Sequence, residues 1–278
     1  MDKVVLLTGG SSGIGAATAI LLAQKGCRVY AGSRRGLMPE GWEQAGLPEA
    51  GQGGCIHALA LDVNDIESLR AAVERIRQEE GRLDVLVCNA GNGIAGALED
   101  CSEEECKYQF ETCLFGAIKS IQACLPLMRS QGYGKIITVT SVAAVIPLPY
   151  QALYSAVKAG LVSLTESLHL ELKPFHIQTC SILPGDTKTG FTGARKYAKA
   201  AQDETSPYYR RMTASLKKME HDEQNGMSPK VIARAVLRQV SRKRMAITDT
   251  PRFDYRAVNL LTRLLPRRLM LWIIGLLY

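Results

Sequence analysis

The sequence predicts an α/β protein built on one doubly wound parallel sheet of about seven strands, with helices on both faces. Short apolar runs alternate with longer helical stretches along most of the 278 residues, and this alternation is typical of a parallel sheet covered by helices. Apolar residues make up 46% and charged residues 22% of the chain, proportions that are close to those of ordinary globular domains. We therefore expect one large domain with a substantial core.

Seven apolar runs are predicted as strands and four longer stretches as helices. The strands cover residues 4–7, 28–31, 57–61, 85–87, 136–140, 178–182 and 245–248, and the helices cover 16–25, 66–79, 103–128 and 153–172. Gly, Pro and Glu in residues 36–54 predict an irregular loop. Residues 186–228 are polar and interrupted by Gly and Pro, and they lie where α/β proteins often carry a lid. The sequence thus predicts one domain over residues 1–250, with the lid at 186–228, and an extension over 251–278.

The end of the chain, residues 260–278, is predicted to form an apolar helical tail with three embedded arginines. The apolar run after Arg268 has about ten residues, whereas a helix that spans a membrane needs about 20. Three arrangements are compatible with this pattern. The tail packs on the body or on another subunit, forms a lip over an apolar substrate site, or lies in a membrane interface.

Charge and cysteine usage limit the functional classes. The net charge of +7 is attributed to a solvated surface and a phosphate-binding pocket, because no nucleic-acid-binding motif accompanies it. The eight cysteines form no C-x-x-C pair and no Cys/His cluster with zinc spacing. We therefore predict no metal site and reduced, mostly buried thiols in a cytoplasmic protein. The first strand begins almost at Met1, so no signal peptide is predicted.

A glycine-rich turn, Thr8-Gly9-Gly10-Ser11-Ser12-Gly13-Ile14-Gly15, joins the first strand to the first helix. Glycines let the backbone approach a phosphate closely, and a helix N-terminus presents N–H groups and a positive dipole to it. The spacing is G-x-x-x-G-x-G and differs from the general dinucleotide fingerprint. Its position between strand and helix still predicts dinucleotide binding.

The end of the second strand indicates which dinucleotide binds. NAD-binding proteins place an acid there for the ribose hydroxyls, and NADP-binding proteins use an arginine for the extra phosphate. This chain has Gly32-Ser33-Arg34-Arg35 and no acid. A guanidinium offers a planar fork to the 2′-phosphate, so NADP(H) is preferred over NAD(H).

Tyr154, Lys158 and Ser141 are the candidate reaction centre. Tyr154 and Lys158 are four residues apart on a predicted helix and share one face, and Ser141 ends the fifth strand. Hydride transfer to a carbonyl leaves an alkoxide that needs a proton, which a tyrosine with a pKa of about 10 can supply. An ammonium about 5 Å away is expected to be the main cause of a lowered phenol pKa, and the serine is expected to stabilise the developing charge.

With these motifs in this order, the chain resembles the short-chain dehydrogenase/reductase family from about residue 3 to residue 245. The resemblance implies a Rossmann-type fold with Ser141, Tyr154 and Lys158 as catalytic residues, Lys158 also holding the nicotinamide ribose. Other positions match the family's adenine-contacting acid with the residue after it, its N-A-G motif, and its P-G motif with the following loop. The implied cofactor-binding residues are Gly9, Ser11, Ser12, Gly13, Ile14, Gly15, Arg34, Arg35, Asp62, Val63, Asn89, Ala90, Gly91, Tyr154, Lys158, Pro184, Gly185, Thr187 and Thr189.

One position departs from the family pattern. The family usually has an asparagine that anchors a water relay to the lysine, and the corresponding residue here is Cys113. A thiol is a poor substitute for an amide. We expect activity to survive because the three residues nearest the chemistry remain. A cofactor-binding regulator with little turnover stays open as the alternative.

Residues 148–191 are similar to the hydroxysteroid and retinol dehydrogenase branch of the family. This implies an NADP(H)-dependent oxidoreductase for a bulky apolar secondary alcohol or ketone, with a sugar or small-carbonyl reductase as the alternative. The apolar residues 145–150 either line such a pocket or pack beside it. The family also implies a homodimer or homotetramer, paired through the helices predicted at 103–128 and 153–172. No nucleic acid is expected as a partner, and the tail is a candidate for peripheral membrane contact.

Overall fold

The computed structural model describes residues 1–47 and 53–277. Seven strands form one sheet in the order β3-β2-β1-β4-β6-β7-β9, and every pairing within it is parallel. A second, small sheet pairs β5 with β8. The strands are β1 (Val4–Thr8), β2 (Arg28–Ser33), β3 (Cys55–Ala60), β4 (Val85–Cys88), β5 (Ile94–Ala95), β6 (Gly134–Val139), β7 (Ile177–Ile182), β8 (Lys196–Tyr197) and β9 (Thr248–Asp249). The predicted doubly wound parallel sheet is confirmed.

Helices cover both faces of the large sheet. They are α1 (Gly13–Gln24), α2 (Ile66–Glu80), α3 (Glu103–Phe110), α4 (Gly116–Gln131), α5 (Ala152–Glu171), α6 (Phe191–Ala194), α7 (Tyr209–Gln224), α8 (Pro229–Ser241), α9 (Phe253–Leu264) and α10 (Arg267–Leu277). Of the predicted irregular loop 36–54, residues 48–52 lie outside the described residues, and the rest contains one short 3₁₀ turn, Glu43–Ala45.

Two layers of core result from the alternation of side chains along the central strands. In β1, Val4 and Leu6 pack with residues of α2, α4 and α5 on one face. Val5 and Leu7 pack with residues of α1 and α8 on the other face. Because β1 is buried on both sides, it reads as a continuous apolar run in the sequence.

Two predicted elements are placed differently in the structure. The long helix predicted over 103–128 is divided into α3, a π-helical turn (Glu111–Phe115) and α4. Inside this turn the Cys113 side chain is buried, and its sulfur accepts hydrogen bonds from neighbouring amide groups. The seventh strand, predicted at 245–248, is shifted to Thr248–Asp249, where the buried carboxylate of Asp249 accepts hydrogen bonds from Arg238 and Gln239.

The lid segment and the tail have structure of their own. The lid over 186–228 contains α6, β8 and α7, and β8 pairs with β5 of the body. A separate apolar cluster joins β5 to α7 through Ile94, Met212 and Leu216. The extension over 251–278 consists of α9, which begins at Phe253, and α10, and the apolar tail predicted at 260–278 covers the end of α9 and all the described residues of α10. Among the described residues, no helix combines the length and the hydropathy that crossing a bilayer requires.

Candidate active site

The glycine turn after β1 is a backbone cradle with almost no spare room. Gly9 and Gly13 have φ values of +66° and +53°, which side chains other than glycine rarely tolerate. A Cβ on Gly15 would lie 2.0 Å from the carbonyl oxygen of Gly9. The side-chain amide of Asn89 donates to the carbonyls of Thr8 and Gly9 at 3.1 and 3.0 Å. The hydrogen bonds of Asn89, the first residue of the N-A-G motif, therefore hold the turn in place.

The N-A-G motif also connects the cradle to the candidate reaction centre. The backbone N–H groups of Asn89 and Ala90 both donate to the Thr8 hydroxyl. A Cβ on Gly91 would lie 3.6 Å from the sulfur of Cys113 and 3.9 Å from Nζ of Lys158. The two regions thus meet at the carboxyl ends of β1, β4 and β6, where open parallel sheets bind their ligands.

The candidate nucleotide-selecting residues lie at the ends of β2 and β3. Arg34 and Arg35 are exposed, and neither is in an ion pair with any described residue. The backbone N–H of Asp62 donates to the Ser68 hydroxyl, and its carboxylate accepts from Asn64. Val63 is buried beside Gly116. The structure thus describes two exposed guanidiniums after β2, and β2 lies beside the glycine turn, where the Gly10 N–H donates to the Gly32 carbonyl.

Tyr154, Lys158 and Ser141 come together at the carboxyl end of β6. Nζ of Lys158 lies 5.5 Å from the centre of the Tyr154 ring, close to the expected separation, and donates to the Val139 carbonyl at 3.1 Å. Ser141 caps a short 3₁₀ turn by accepting from the Ala143 N–H, and its hydroxyl lies near enough to Tyr154 to lower the pKa of the phenol. The four-residue spacing on α5 therefore brings Tyr154 and Lys158 together, and the turn after β6 adds Ser141 to the same site.

The predicted cause and direction of the Tyr154 pKa shift are wrong for the residues of this chain. Burial raises the pKa of Tyr154 above its ordinary value, and the nearby Ser141 hydroxyl opposes this by lowering it. Burial also lowers the pKa of Lys158. The expectation that Lys158 lowers the phenol pKa neglected the cost of placing charged groups in a dry site. Tyr154 consequently holds its proton firmly.

Cys113 lies beneath the lysine in a small polar cluster that the sequence did not reveal. Its sulfur accepts from the backbone N–H of Asn92 and from the side-chain amide of Gln109, both at 3.2 Å. The Gln109 side chain, which is fully buried at 0% exposure, also donates to the Asn92 carbonyl and accepts from the Ile94 N–H. The amide residues Asn92 and Gln109 thus surround Cys113, which occupies the position where the family usually has an asparagine. The sequence signal for the contact of Asn92 with Cys113 was the position of Asn92 directly after the N-A-G motif.

The lid contributes two further residues that sequence reasoning missed. The ring of Phe191 lies 5.7 Å from that of Tyr154 at a tilt of 50°, and a Cβ on Gly93 would lie 2.8 Å from it. The guanidinium carbon of Arg195 lies 5.7 Å from the Phe191 ring. A phenylalanine shortly after the P-G motif was the available signal, but nothing in the local sequence indicated that it covers the tyrosine.

A wide cleft between α5, α8 and α9 is lined by His169 and is separate from these groups.

The loop that follows β7 closes the site on the side of the tail. A Cβ on Gly185, which follows Pro184, would lie 2.2 Å from the ring of Tyr255 in α9. The Tyr255 hydroxyl donates to the Asp186 carboxylate at 2.6 Å and accepts from the Asp186 N–H at 3.0 Å. Thr187 donates to the Gly185 carbonyl, and the Thr189 side chain would lie 3.3 Å from a Cβ on Gly13. The P-G loop therefore contacts the glycine turn.

The position of these groups defines the class of protein. A dinucleotide-binding sheet with a phenol, an ammonium and a hydroxyl gathered at the carboxyl ends of its strands is typical of nicotinamide-dependent oxidoreductases. The model of the family described as short chain dehydrogenase matches residues 3–200. The chain belongs to this family.

Individual relatives are similar over different lengths. A 3-ketodihydrosphingosine reductase of Bacteroides thetaiotaomicron is 39% identical over 241 residues, which cover 87% of this chain and 84% of the relative. The human 17-beta-hydroxysteroid dehydrogenase type 1 is 40% identical over 193 residues, 68% of this chain and only 58% of the relative. The crystal structure of a short-chain dehydrogenase from Streptomyces avermitilis superimposes with a TM-score of 0.79 at 30% identity, covering 94% of this chain and 92% of that one.

Proposed function

We propose that the protein is an NADP(H)-dependent reductase of a bulky apolar ketone, with Tyr154 as the acid. The single observation that carries this is the contact of Tyr154 with Ser141 and Lys158 beside the glycine cradle. The burial that raises the phenol pKa keeps the proton on Tyr154. Ketone reduction uses this protonated phenol as its general acid.

The residues divide the chemistry among them. When bound, a nicotinamide supplies the hydride. Tyr154 transfers its hydroxyl proton to the oxygen that was the carbonyl, and Ser141 donates a hydrogen bond to the same oxygen while its negative charge develops. Lys158, held on the Val139 carbonyl, then stabilises the phenolate that remains and also binds the ribose.

The substrate is proposed from the relatives and from the apolar surroundings of the site. A long-chain ketone of the sphingoid type, the substrate named for the Bacteroides relative, and a steroid ketone, as named for the human relative, are both bulky and apolar. Part of the apolar segment 145–150 packs against the lid cluster through Leu148 and Tyr150, so only the remainder is free to line a pocket. A sugar lacks the apolar surface that such walls bind.

The test is oxidation of NADPH against a panel of long-chain, steroid and small ketones. Replacing Tyr154→Phe is expected to lower the rate by about 10²- to 10⁴-fold, because the acid is lost while the ring is kept. If NADPH binds but no ketone on the panel is reduced, the protein is a cofactor-binding regulator instead.

The preference for NADP(H) rests on the two exposed arginines after β2. The double replacement Arg34→Ala/Arg35→Ala is expected to raise the Michaelis constant for NADPH about tenfold or more and to leave that for NADH unchanged, because the 2′-phosphate loses charge-assisted hydrogen bonds. The exposed Arg211 of α7 provides a matched control. A parent protein that prefers NADH would contradict the proposal.

We further propose peripheral membrane contact through the tail. None of the residues of α9 is buried. Phe253 is 84% exposed and Trp272 of α10 is 62% exposed, and arginines flank these apolar residues. The inner face of α10 packs on the body through Met270 and Ile274, and Arg267 donates to the Val145 carbonyl near the site. An amphipathic helix with an aromatic and basic rim is typical of an interfacial segment.

Flotation with anionic vesicles tests the membrane contact. The full chain is expected to float and a chain cut after Thr262 is expected to remain in solution. Equal behaviour of the two would remove the tail from the proposal. Assembly into a dimer or tetramer through α4 and α5 remains a prediction from the family, to be checked by light scattering.

A further inference from the structure

Arg195 is a buried cation in the lid whose hydrogen bonds are incomplete. Its side chain has 0% exposure, although arginine is almost never fully buried unless it is paired. Nη2 donates to the Glu223 carboxylate, and Nη1 lies 3.9 Å from the Glu220 carboxylate, too far for a hydrogen bond. Among the described residues, neither Nε nor Nη1 has a hydrogen-bond partner.

Buried donors without partners are rare, because a group that has lost water and gained nothing is costly. The two acids that face Arg195 are held in place by other contacts. Glu223 also accepts from the Thr192 hydroxyl, and Glu220 accepts from the Tyr197 hydroxyl. The lid therefore holds a cation in a fixed position, and two of its nitrogens have no hydrogen-bond partner among the described residues.

This position adjoins the reaction centre. The Phe191 ring is a shared neighbour of both groups, because the guanidinium carbon of Arg195 and the centre of the Tyr154 ring each lie 5.7 Å from its centre. The charges of Arg195 and Glu223 both influence the pKa of Tyr154, Arg195 lowering it and Glu223 raising it. A substrate that displaces Phe191 to reach the phenol thus also meets Arg195.

The local charge balance indicates what kind of group would bind there. One guanidinium faces two carboxylates, so an anionic substrate group would be repelled by the acids. A hydroxyl group can accept from Arg195 and donate to a carboxylate, since each carboxylate oxygen has more than one lone pair. A neutral group that both donates and accepts is the best match.

We propose that Arg195, with Glu220 and Glu223, forms a subsite for a hydroxyl group that the substrate carries near its ketone. The inference rests on the proposed ketone reduction and narrows it to hydroxy-ketones on an apolar chain. Arg195 is then a specificity-determining residue, which selects among ketones that Tyr154 reduces.

The experiment compares two ketones of equal chain length, one with a hydroxyl two carbons from the ketone and one without. The parent is expected to prefer the hydroxy-ketone by at least about tenfold in kcat/KM, because the analogue without the hydroxyl leaves the buried donors unpaired. The double variant Arg195→Met/Glu223→Met is expected to lose this preference. The readout is the ratio of kcat/KM for the two ketones, and circular dichroism verifies folding of the variant, since an apolar pair of similar volume often replaces a buried ion pair without loss of stability.

Arg211→Met on the exposed surface of α7 serves as the matched control and is expected to keep the preference. Retention of the preference in the double variant would overturn the subsite and leave Arg195 as a structural link within the lid. Equal kcat/KM for the two ketones in the parent would overturn it as well.

A binding measurement separates failure of the subsite from failure of the proposed function. Calorimetric titration of the parent with NADPH compares a long-chain diol with the matching mono-alcohol, neither of which needs turnover. Tighter binding of the diol by the parent, lost in the double variant, supports the subsite even if no ketone is reduced. Equal binding of the two alcohols by the parent overturns the subsite while leaving ketone reduction to be judged by its own assay.

Discussion

The carboxyl edge of the sheet, which carries the glycine turn, and the lid form the two sides of one site. The edge presents backbone groups to the site, whereas the lid presents side chains. At the edge, the recognition groups are backbone amides, and a Cβ added to Gly15 would meet the Gly9 carbonyl at 2.0 Å. In the lid, Gly193 has no heavy atom within 4 Å of such a Cβ, and the groups near the chemistry are the long side chains of Phe191 and Arg195. The glycine turn therefore tolerates no added atom at Gly15, whereas the lid depends on side-chain chemistry.

The largest effect expected from this contrast concerns a single methyl group. Gly15→Ala is expected to weaken NADPH binding by at least about 100-fold, because the backbone of the cradle must move and overpacking is poorly relieved there. Gly193→Ala in the lid is expected to change binding less than about twofold, since surface substitutions without contacts are nearly neutral. Fluorescence titration of NADPH measures both, with circular dichroism to verify folding. Equal binding by the two variants would abolish the distinction.

A smaller effect is expected at Ser141, on the edge side of the site. Ser141→Ala is expected to lower kcat about 10- to 100-fold, the value of one hydrogen bond to a charged oxygen. The Ser141 hydroxyl lowers the pKa of Tyr154, so its removal is expected to raise that pKa.

The pH profile gives an independent check on this serine. Alcohol oxidation needs the phenolate and increases as pH rises through the pKa, whereas ketone reduction needs the phenol and is lost over the same range. Both limbs are expected to move to higher pH in Ser141→Ala. A lower rate with unmoved limbs would mean that the serine acts on the substrate alone.

The lid is expected to respond more weakly. Phe191→Ala removes a ring that lies over Tyr154 and against Gly93. The KM for a bulky ketone is expected to fall about two- to tenfold, because displacing an aromatic neighbour costs about 0.5–1.5 kcal/mol. Steady-state kinetics on a series of ketones measures this. A higher KM would indicate that Phe191 is itself a wall of the substrate pocket.

The smallest effect is expected at Cys113, between the two regions. Because Asn92 and Gln109 already supply amides around its sulfur, Cys113→Asn is expected to change kcat no more than about threefold. Stopped-flow measurement of the hydride step would detect this. A large loss of rate would contradict the interpretation that the thiol is a compromise at this position.

The contrast between the edge and the lid also explains which parts of the site could be predicted from the sequence. The glycine turn and the spacing of Tyr154 and Lys158 are local patterns, and both occupy the places that the sequence predicts for them. Arg195 and Glu223 are separated by 28 residues and meet only because the lid folds back on itself, so no periodicity reveals them. The direction of the Tyr154 pKa shift could not be predicted from the sequence either. It depends on how deeply the whole site is buried and not only on the distance to one lysine.

The ring of Tyr255, which stands in front of Gly185, makes the start of α9 a wall of the catalytic body. Removing the extension at residue 250, the boundary drawn from the sequence, would strip this wall away together with the apolar helices. A shortened protein of that length would report on a damaged cleft, whereas the cut after Thr262 retains the tyrosine and isolates the behaviour of the last helix.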